Sequence, residues 1–219
     1  MNPKPPAIPI LHEDEHLIVV GKPAGVLVVP APGRGGATLV DILQRARSER
    51  LYPVHRLDED TTGVLVIART LAAKAALEGL FERHELERIY AALVDRMPTP
   101  PAGRIESQLA EDERGIMRSV LRGGERAITH YRALVRRGRH VLVECRLETG
   151  RRNQIRAHLS ELGCPVVGDR KYGFRAASGG RATRVMLHAE SIRFSHPMTG
   201  DILVIRHEPE EKDLSMSSI

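Results

Sequence analysis

The stretch His55-Arg56-Leu57-Asp58-Glu59-Asp60-Thr61-Thr62-Gly63-Val64-Leu65-Val66-Ile67-Ala68 organises this chain of 219 residues. A polar turn rich in carboxylates ends at Gly63 and opens into five apolar residues, the pattern of a strand buried on both faces. Asp58, Glu59 and Asp60 therefore sit at the mouth of a core strand, where a reactive site would be placed. On pattern alone, an acidic turn is also compatible with a solvated loop. Against that reading, Arg56 and Arg69 bracket this one and the core strand follows it directly.

Upstream, residues 1–11 are rich in proline and are expected to form a flexible arm. His12-Glu13-Asp14-Glu15-His16 spells the HExxH pattern of zinc proteases, which requires both histidines on one face of a helix. Leu17-Ile18-Val19-Val20 follows at once and reads as a strand, so the pair is expected on a loop and no metal is expected. Lys22-Pro23-Ala24-Gly25 reads as a turn between strands His16–Gly21 and Val26–Val29, giving a hairpin-like entry. The loop Pro32-Gly33-Arg34-Gly35-Gly36 lacks the GK[ST] ending of a phosphate-gripping loop. Thr38 is placed to cap a helix over Leu39–Arg47, and Thr70 a second helix reaching about His84.

Downstream, Arg88–Val94 reads as a strand, and Gly103–Gly124 as short strands or a loop over a cleft. Strands are expected at Ala127–Val135 and His140–Glu148, with Arg136-Arg137-Gly138-Arg139 projecting guanidiniums from the turn between them. A helix starts near Asn153 and stops at Gly163, and strands follow at Val185–Phe194 and Ile202–His207. Strands outnumber helices and are often joined by short turns, which predicts an α+β fold with a mixed, largely antiparallel sheet and flanking helices. The expected organisation is a flexible arm over 1–11, a single catalytic domain over 12–207 and an acidic disordered tail over 208–219.

Hydrophobic residues make up 42% of the chain, enough for a core that must be built from Val, Leu, Ile and Ala, because aromatics reach only 3% and Trp is absent. The net charge is +5, carried by 28 arginines and 5 lysines. Between Arg114 and Arg184 there are 17 basic and 5 acidic residues, a concentration that reads as a phosphate-binding face. Cys145 and Cys164 have no CxxC spacing and read as reduced, core-packed thiols of a cytoplasmic protein. No apolar run approaches the ~20 residues that span a bilayer, and no signal pattern opens the chain, so no membrane partner is expected.

His55-Arg56-Leu57-Asp58-x-x-Thr61-x-Gly63 resembles the signature of the RluA-type pseudouridine synthases. Four further motifs resemble that family in its order: Lys22-Pro23-Ala24-Gly25, Thr149-Gly150-Arg151-x-x-Gln154-Ile155-Arg156-x-His158, Gly168-Asp169-x-x-Tyr172-Gly173, and Leu187-His188-Ala189 through His196-Pro197-x-Thr199-Gly200. The resemblance covers roughly His12 to Arg206. Thr62 stands where the family usually has Ser, Arg152-Asn153 where it has Thr-His, and Val29 where a His is common. These departures touch substrate preference more than activity.

The resemblance implies the pseudouridine synthase fold with a central catalytic cleft and a reaction without a cofactor. That reaction breaks the C1′–N1 bond of uridine, turns the base and joins C1′ to C5. It implies that Asp58 is the ionised carboxylate at the sugar and that the Arg156 guanidinium keeps it ionised. Arg156 is also compatible with a phosphate contact on a basic helix. Tyr90 resembles the tyrosine that stacks on the detached base, and Leu187 an apolar wall, although core positions suit both residues equally. Arg56 resembles the residue that holds the flipped nucleotide or fills the gap it leaves. The implied partner is RNA, a stem-loop of tRNA or rRNA, bound by a monomer without the extra N-terminal RNA-binding domain of many relatives. Glu59 and Asp60 read as turn-formers that can reach Arg69, and His55 as structural.

Three readings of other classes compete with this one. Asp58-x-Asp60-x-Thr62 fits the DxDx[TV] pattern of magnesium-dependent phosphatases, yet His55 and Arg56 stand where that fold needs a wholly apolar strand. An EF-hand fails at its twelfth position, which is Arg69. A catalytically silent RNA-binding module suits the basic window but leaves Asp58 without a purpose.

Overall fold

All seven residues from Thr62 to Ala68 form a buried strand, as the apolar run after Gly63 demands. The computed structural model describes residues 7–176, 182 and 184–209. Residues 1–6 of the expected arm and 210–219 of the expected tail lie outside them.

Along the chain the elements are β1 (Ile10–Glu13), β2 (Leu17–Lys22), α1 (Leu39–Arg47), β3 (Tyr52–Pro53), β4 (Thr62–Ala68), α2 (Leu71–Glu82), β5 (Glu87–Val94), β6 (Ala102–Glu111), β7 (Met117–Val120), β8 (Glu125–Arg137), β9 (His140–Leu147), α3 (Gln154–Glu161), a 3-10 turn (Arg170–Tyr172), β10 (Leu187–Ser195) and β11 (Ile202–Arg206). The fold is α+β with mostly antiparallel pairing, as expected, and the described residues include three α-helices. The described residues divide into two compact units, 7–86 with 189–208, and 87–176 with 182, 184–188 and 209. Strand β10 carries the chain from the second unit into the first.

In the first unit β2 lies antiparallel between β1 and β4, β3 adds to β4, and β11 pairs antiparallel with β10. Leu17, Val19, Val64, Val66, Ala73, Leu77, Ile192 and Phe194 build its apolar core. Gly63 is required twice over. Its φ is +112°, and a Cβ there would lie 2.1 Å from the Ala189 carbonyl oxygen, so only glycine lets β10 come this close. Helix α1 starts as expected, with Thr38 Oγ1 accepting from Asp41 N and Asp41 Oδ2 accepting from Thr38 N. Thr70 caps α2 by accepting from Ala73 N.

The second unit is an antiparallel sheet in the order β5-β9-β8-β6-β7. Helix α3 packs on it through Ile155 and Leu159, in a core that includes Val141, Val143, Val166 and Phe174. Cys145 and Cys164 are free and buried, and burial pushes the Cys164 thiol up to about 11.

The structure departs from these expectations in several places. Val26–Val29 is not a strand: the carbonyls of Leu27 and Val28 accept from Leu39 N and Val40 N, so this segment joins the first turn of α1. In Gly103–Gly124 the strand alternative holds, with a longer first strand than expected: β6 has ten residues, eight of them (102–109) in register with β8, before the chain turns into β7. The low apolar periodicity there reflects a strand whose solvated face carries Arg104, Glu106 and Gln108. Strands β1 and β3 were not foreseen, and Ile10 and Leu11, assigned to the flexible arm, belong to β1.

Candidate active site

Asp58 lies on the loop between β3 and β4, closed by a Thr61 N–H that donates to the Asp58 carbonyl at 3.1 Å. Leu57 is buried beneath it, Asp58 is half-buried and Arg56 is exposed. The loop is held from below by Lys22, the last residue of β2, which is 1% exposed. Its Nζ donates to the carbonyls of Pro23, Glu59 and Thr61 at 2.9, 2.7 and 2.9 Å. Gly25 N donates to the Glu59 carbonyl as well. The Lys22-Pro23-Ala24-Gly25 segment, read from sequence as a turn and as a family motif without a role, is thus the support of the Asp58 loop.

His55 is structural, as expected: its Nε2 accepts from Val66 N at 2.9 Å and its ring stacks on Phe81 at 4.5 Å. The expected pairing of Glu59 or Asp60 with Arg69 is not formed. Arg69 reaches Glu49 at 2.9 Å and Glu13 at 3.4 Å instead, and Glu59 pairs with Arg34.

The HExxH segment lies on β1 and a turn, without the helix that would aim both histidines at one ion. Asp14 organises that turn. Burial opposes its ionisation, yet the backbone N–H groups of His16 and Leu17 and the His12 ring hold its carboxyl at about 2. Among the described residues no group of three or more His, Cys, Asp or Glu side chains is arranged to hold a metal.

In the second unit Tyr90 sits half-buried on β5, opposite Cys145 of β9, and packs against the core. Arg88, two residues earlier, is buried; burial lowers its pKa, and neighbouring Tyr90 opposes that shift. Sequence reasoning passed over Arg88. Its spacing of two from Tyr90 on a strand was the available signal, since such residues share a face. Leu187 is 4% exposed at the start of β10, within the second unit's core.

Arg156 projects from the first turn of α3 with its side chain 11% exposed. Its Nε donates to Asp169 Oδ2 at 2.6 Å and its Nη2 to Asp169 Oδ1 at 2.9 Å. The guanidinium carbon lies 5.0 Å from the centre of the Tyr172 ring. The motif Gly168-Asp169-x-x-Tyr172 was quoted from sequence with no role attached.

A buried polar network fixes α3 on the sheet. The Gln154 side chain accepts from Thr149 Oγ1 and Arg151 N and donates to the Ile128 carbonyl and Thr129 Oγ1. The His158 ring lies between Thr129 Oγ1 at 2.9 Å and Ser107 Oγ at 3.0 Å. Burial lowers the His158 pKa to about 4, below the ordinary 6.5. The unfolded chain therefore binds a proton that the fold rejects, and the stability present above pH 6.5 is lost as pH falls towards 4. We expect His158→Gln to remove roughly 3 kcal/mol of the stability difference between pH 7 and pH 4, measured by urea unfolding at each pH. Equal pH dependence in wild type and variant would count against a neutral buried imidazole.

The site residues suggested by sequence thus fall as Arg56 and Asp58 in the first unit, and Tyr90, Arg156 and Leu187 in the second. Among the described residues no helix is long and apolar enough to cross a membrane. Comparison with known proteins agrees with the motifs. The chain is 37% identical to a ribosomal large subunit pseudouridine synthase D from Xanthomonas campestris pv. campestris, over 96% of this chain and 69% of that protein. It is 40% identical to the protein of the same name from Zymomonas mobilis, over 91% of this chain and 68% of that one. The share is smaller for a relative from Neisseria meningitidis, of whose length the chain spans 57%. The solved structure of human RNA pseudouridylate synthase domain containing 4 superposes with a TM-score of 0.74 at 28% identity, covering 91% of this chain and 87% of that one. The family described as RNA pseudouridylate synthase matches residues 16–161, a span that takes in the Asp58 loop, Tyr90 and Arg156, and this chain belongs to that family.

Proposed function

We propose that this chain isomerises uridine to pseudouridine in ribosomal RNA, with Asp58, Tyr90 and Arg156 acting on the nucleotide and Arg56 and Leu187 helping to hold it. The observation that carries the proposal is the Asp58 loop, fixed through its backbone by a buried lysine so that one carboxylate is presented in a set position. Ribosomal RNA is favoured over transfer RNA because the bacterial relatives are named for the large ribosomal subunit. The reaction exchanges a C1′–N1 bond for a C1′–C5 bond within one nucleotide, so no co-reactant enters and none leaves. One carboxylate near the sugar serves it by adding covalently or by stabilising and deprotonating the sugar while the base is detached. A guanidinium that favours the ionised form keeps such a group active in a cleft. Extruding the uridine costs a few kcal/mol, repaid by contacts in the pocket. On this reading the two units serve a single catalytic domain over 12–207, acting as a monomer in the cytoplasm.

The test is direct. Pseudouridine should appear in large-subunit RNA incubated with the protein and persist when EDTA is present. A phosphatase using Asp58 and Asp60 would stop under EDTA, and a silent binder would make no pseudouridine at all.

Arg118, Arg126, Arg132, Arg151 and Arg152 pair with Asp112, Glu106, Glu144, Glu125 and Glu111, so much of the basic surplus is matched locally. Arg139 is exposed, as expected, but its guanidinium also binds the buried Asp95 at 2.5 Å. Arg136 and Arg137 remain exposed at the β8–β9 turn. We expect the double variant Arg136→Gln/Arg137→Gln to weaken binding to all RNAs alike and to flatten the log–log salt slope by about 1.5, at ~0.7–0.9 per phosphate contact. Filter binding between low and moderate salt reads this slope, and an unchanged slope would mean that the turn faces away from RNA.

A further inference from the structure

We infer that Asp169 is a positioning residue for the isomerisation, acting through Arg156. This inference rests on the reading of the chain as a pseudouridine synthase. Arg156 and Asp169 come from different segments, α3 and the turn that follows Val166-Val167, and the structure brings them together at some cost. Gly168 precedes the carboxylate with φ +84°, and a Cβ there would lie 1.8 Å from the Arg184 carbonyl oxygen. Only glycine lets the chain turn inward at this point. The side chain thus delivered is 0% exposed.

A carboxylate taken wholly out of water needs compensation, and Asp169 finds it in the Nε–Nη2 edge of Arg156 and in Tyr172 N, which donates to Oδ1 at 3.2 Å. The Tyr172 ring supports the guanidinium face, and Tyr172 is itself tied down. Its hydroxyl accepts from Met117 N at 3.0 Å, and its carbonyl accepts from Ser160 Oγ of α3 at 2.6 Å. One edge and one face of Arg156 are therefore fixed before any RNA arrives. Arginine is a side chain with much rotamer freedom, so freezing it in advance places its charge without ordering it at the moment of reaction. Had the pair served folding alone, apolar side chains of similar volume would hold these segments as well or better.

Asp169→Asn separates positioning from capping. The amide oxygen can still accept from Tyr172 N, but an NH2 group then faces the Arg156 Nε–H, two donors opposed. We expect the variant to lower kcat on a saturating rRNA fragment by about 10–100-fold with KM changed less than threefold, since small misplacements of a reacting group have effects of that size. In an Arg156→Ala background the same substitution should have no further effect on kcat, because the residue it acts through is gone. Effects that multiply in the double variant would overturn the inference, as would an unchanged kcat in a folded Asp169→Asn protein. The wild type supplies a second measurement that does not depend on the variant folding. The Nε–H resonance of Arg156 should be resolved and slow to exchange in RNA-free protein, and an exchange-averaged signal would equally overturn the inference. Wild-type protein that makes no pseudouridine would fail the functional reading itself, a different outcome from either of these.

Discussion

Asp58→Asn is expected to lower isomerisation by at least about a thousandfold while leaving RNA affinity within roughly threefold of wild type. Asparagine keeps the shape of the side chain but cannot be the ionised group that the sugar requires. The loop itself should survive the change, because the contacts that fix it run through backbone: Thr61 N donates to the Asp58 carbonyl, and Lys22 holds the carbonyls on either side of Asp60. Loss of activity would therefore report chemistry and not collapse. Nucleoside mass spectrometry of digested RNA after single-turnover incubation measures the product, and binding to the same RNA measures the affinity. A variant of confirmed sequence that retained a tenth of the wild-type rate would remove Asp58 from the reaction.

The parts of the fold legible from sequence are those where one side-chain pattern dictates one backbone state. Gly63 followed by five apolar residues could only be a buried strand, and the Thr38 and Thr70 caps marked both helix starts to the residue. What stayed hidden was decided by partners distant in the chain. Val26–Val29 is apolar enough for a strand, yet its carbonyls go to the amides that open α1, a competition that no local propensity reveals. Strand β6 alternates between faces, but its solvated side is so polar that short strands and a loop cannot be told apart until β8 is seen beside it.

The candidate site divides in the same way. Asp58, Arg156 and Tyr90 were named because their motifs resemble a family's, while the groups that hold them in place carried no separate signal. Asp169 was one acidic residue in a basic stretch, and only the folded chain puts its carboxylate on Arg156. The basic window was overread for a related reason. A count along the sequence cannot see that Glu106, Glu111 and Asp112, outside that window, come to lie against its arginines.

Lys22 carries the largest expected stability effect. Lysine is almost never fully buried, and here it ends β2 opposite Gly63 with its ammonium surrounded by three backbone carbonyls. Three acceptors suit the three N–H donors of the charged form, so the carbonyl dipoles stand in for the water it has lost. Methionine fills much the same volume but donates nothing, leaving the Pro23, Glu59 and Thr61 carbonyls without this partner. The Glu59 carbonyl keeps Gly25 N as a donor, but leaving a buried acceptor unsatisfied costs about 1–3 kcal/mol, and the Pro23 and Thr61 carbonyls together put the loss for Lys22→Met on the order of 3–4 kcal/mol after partial relaxation. That is a large share of the ~5–15 kcal/mol that stabilises a typical domain. Arginine should not rescue it, because a planar fork cannot direct donors at three carbonyls grouped about one nitrogen, and its extra bulk would strain the packing. We expect the urea midpoint followed by circular dichroism to fall steeply in Lys22→Met. At low denaturant, protein that remains folded should still lose turnover, because the Asp58 loop is no longer held. A stability loss under about 1 kcal/mol would mean that water readily replaces the ammonium, and that the loop is fixed by something other than Lys22.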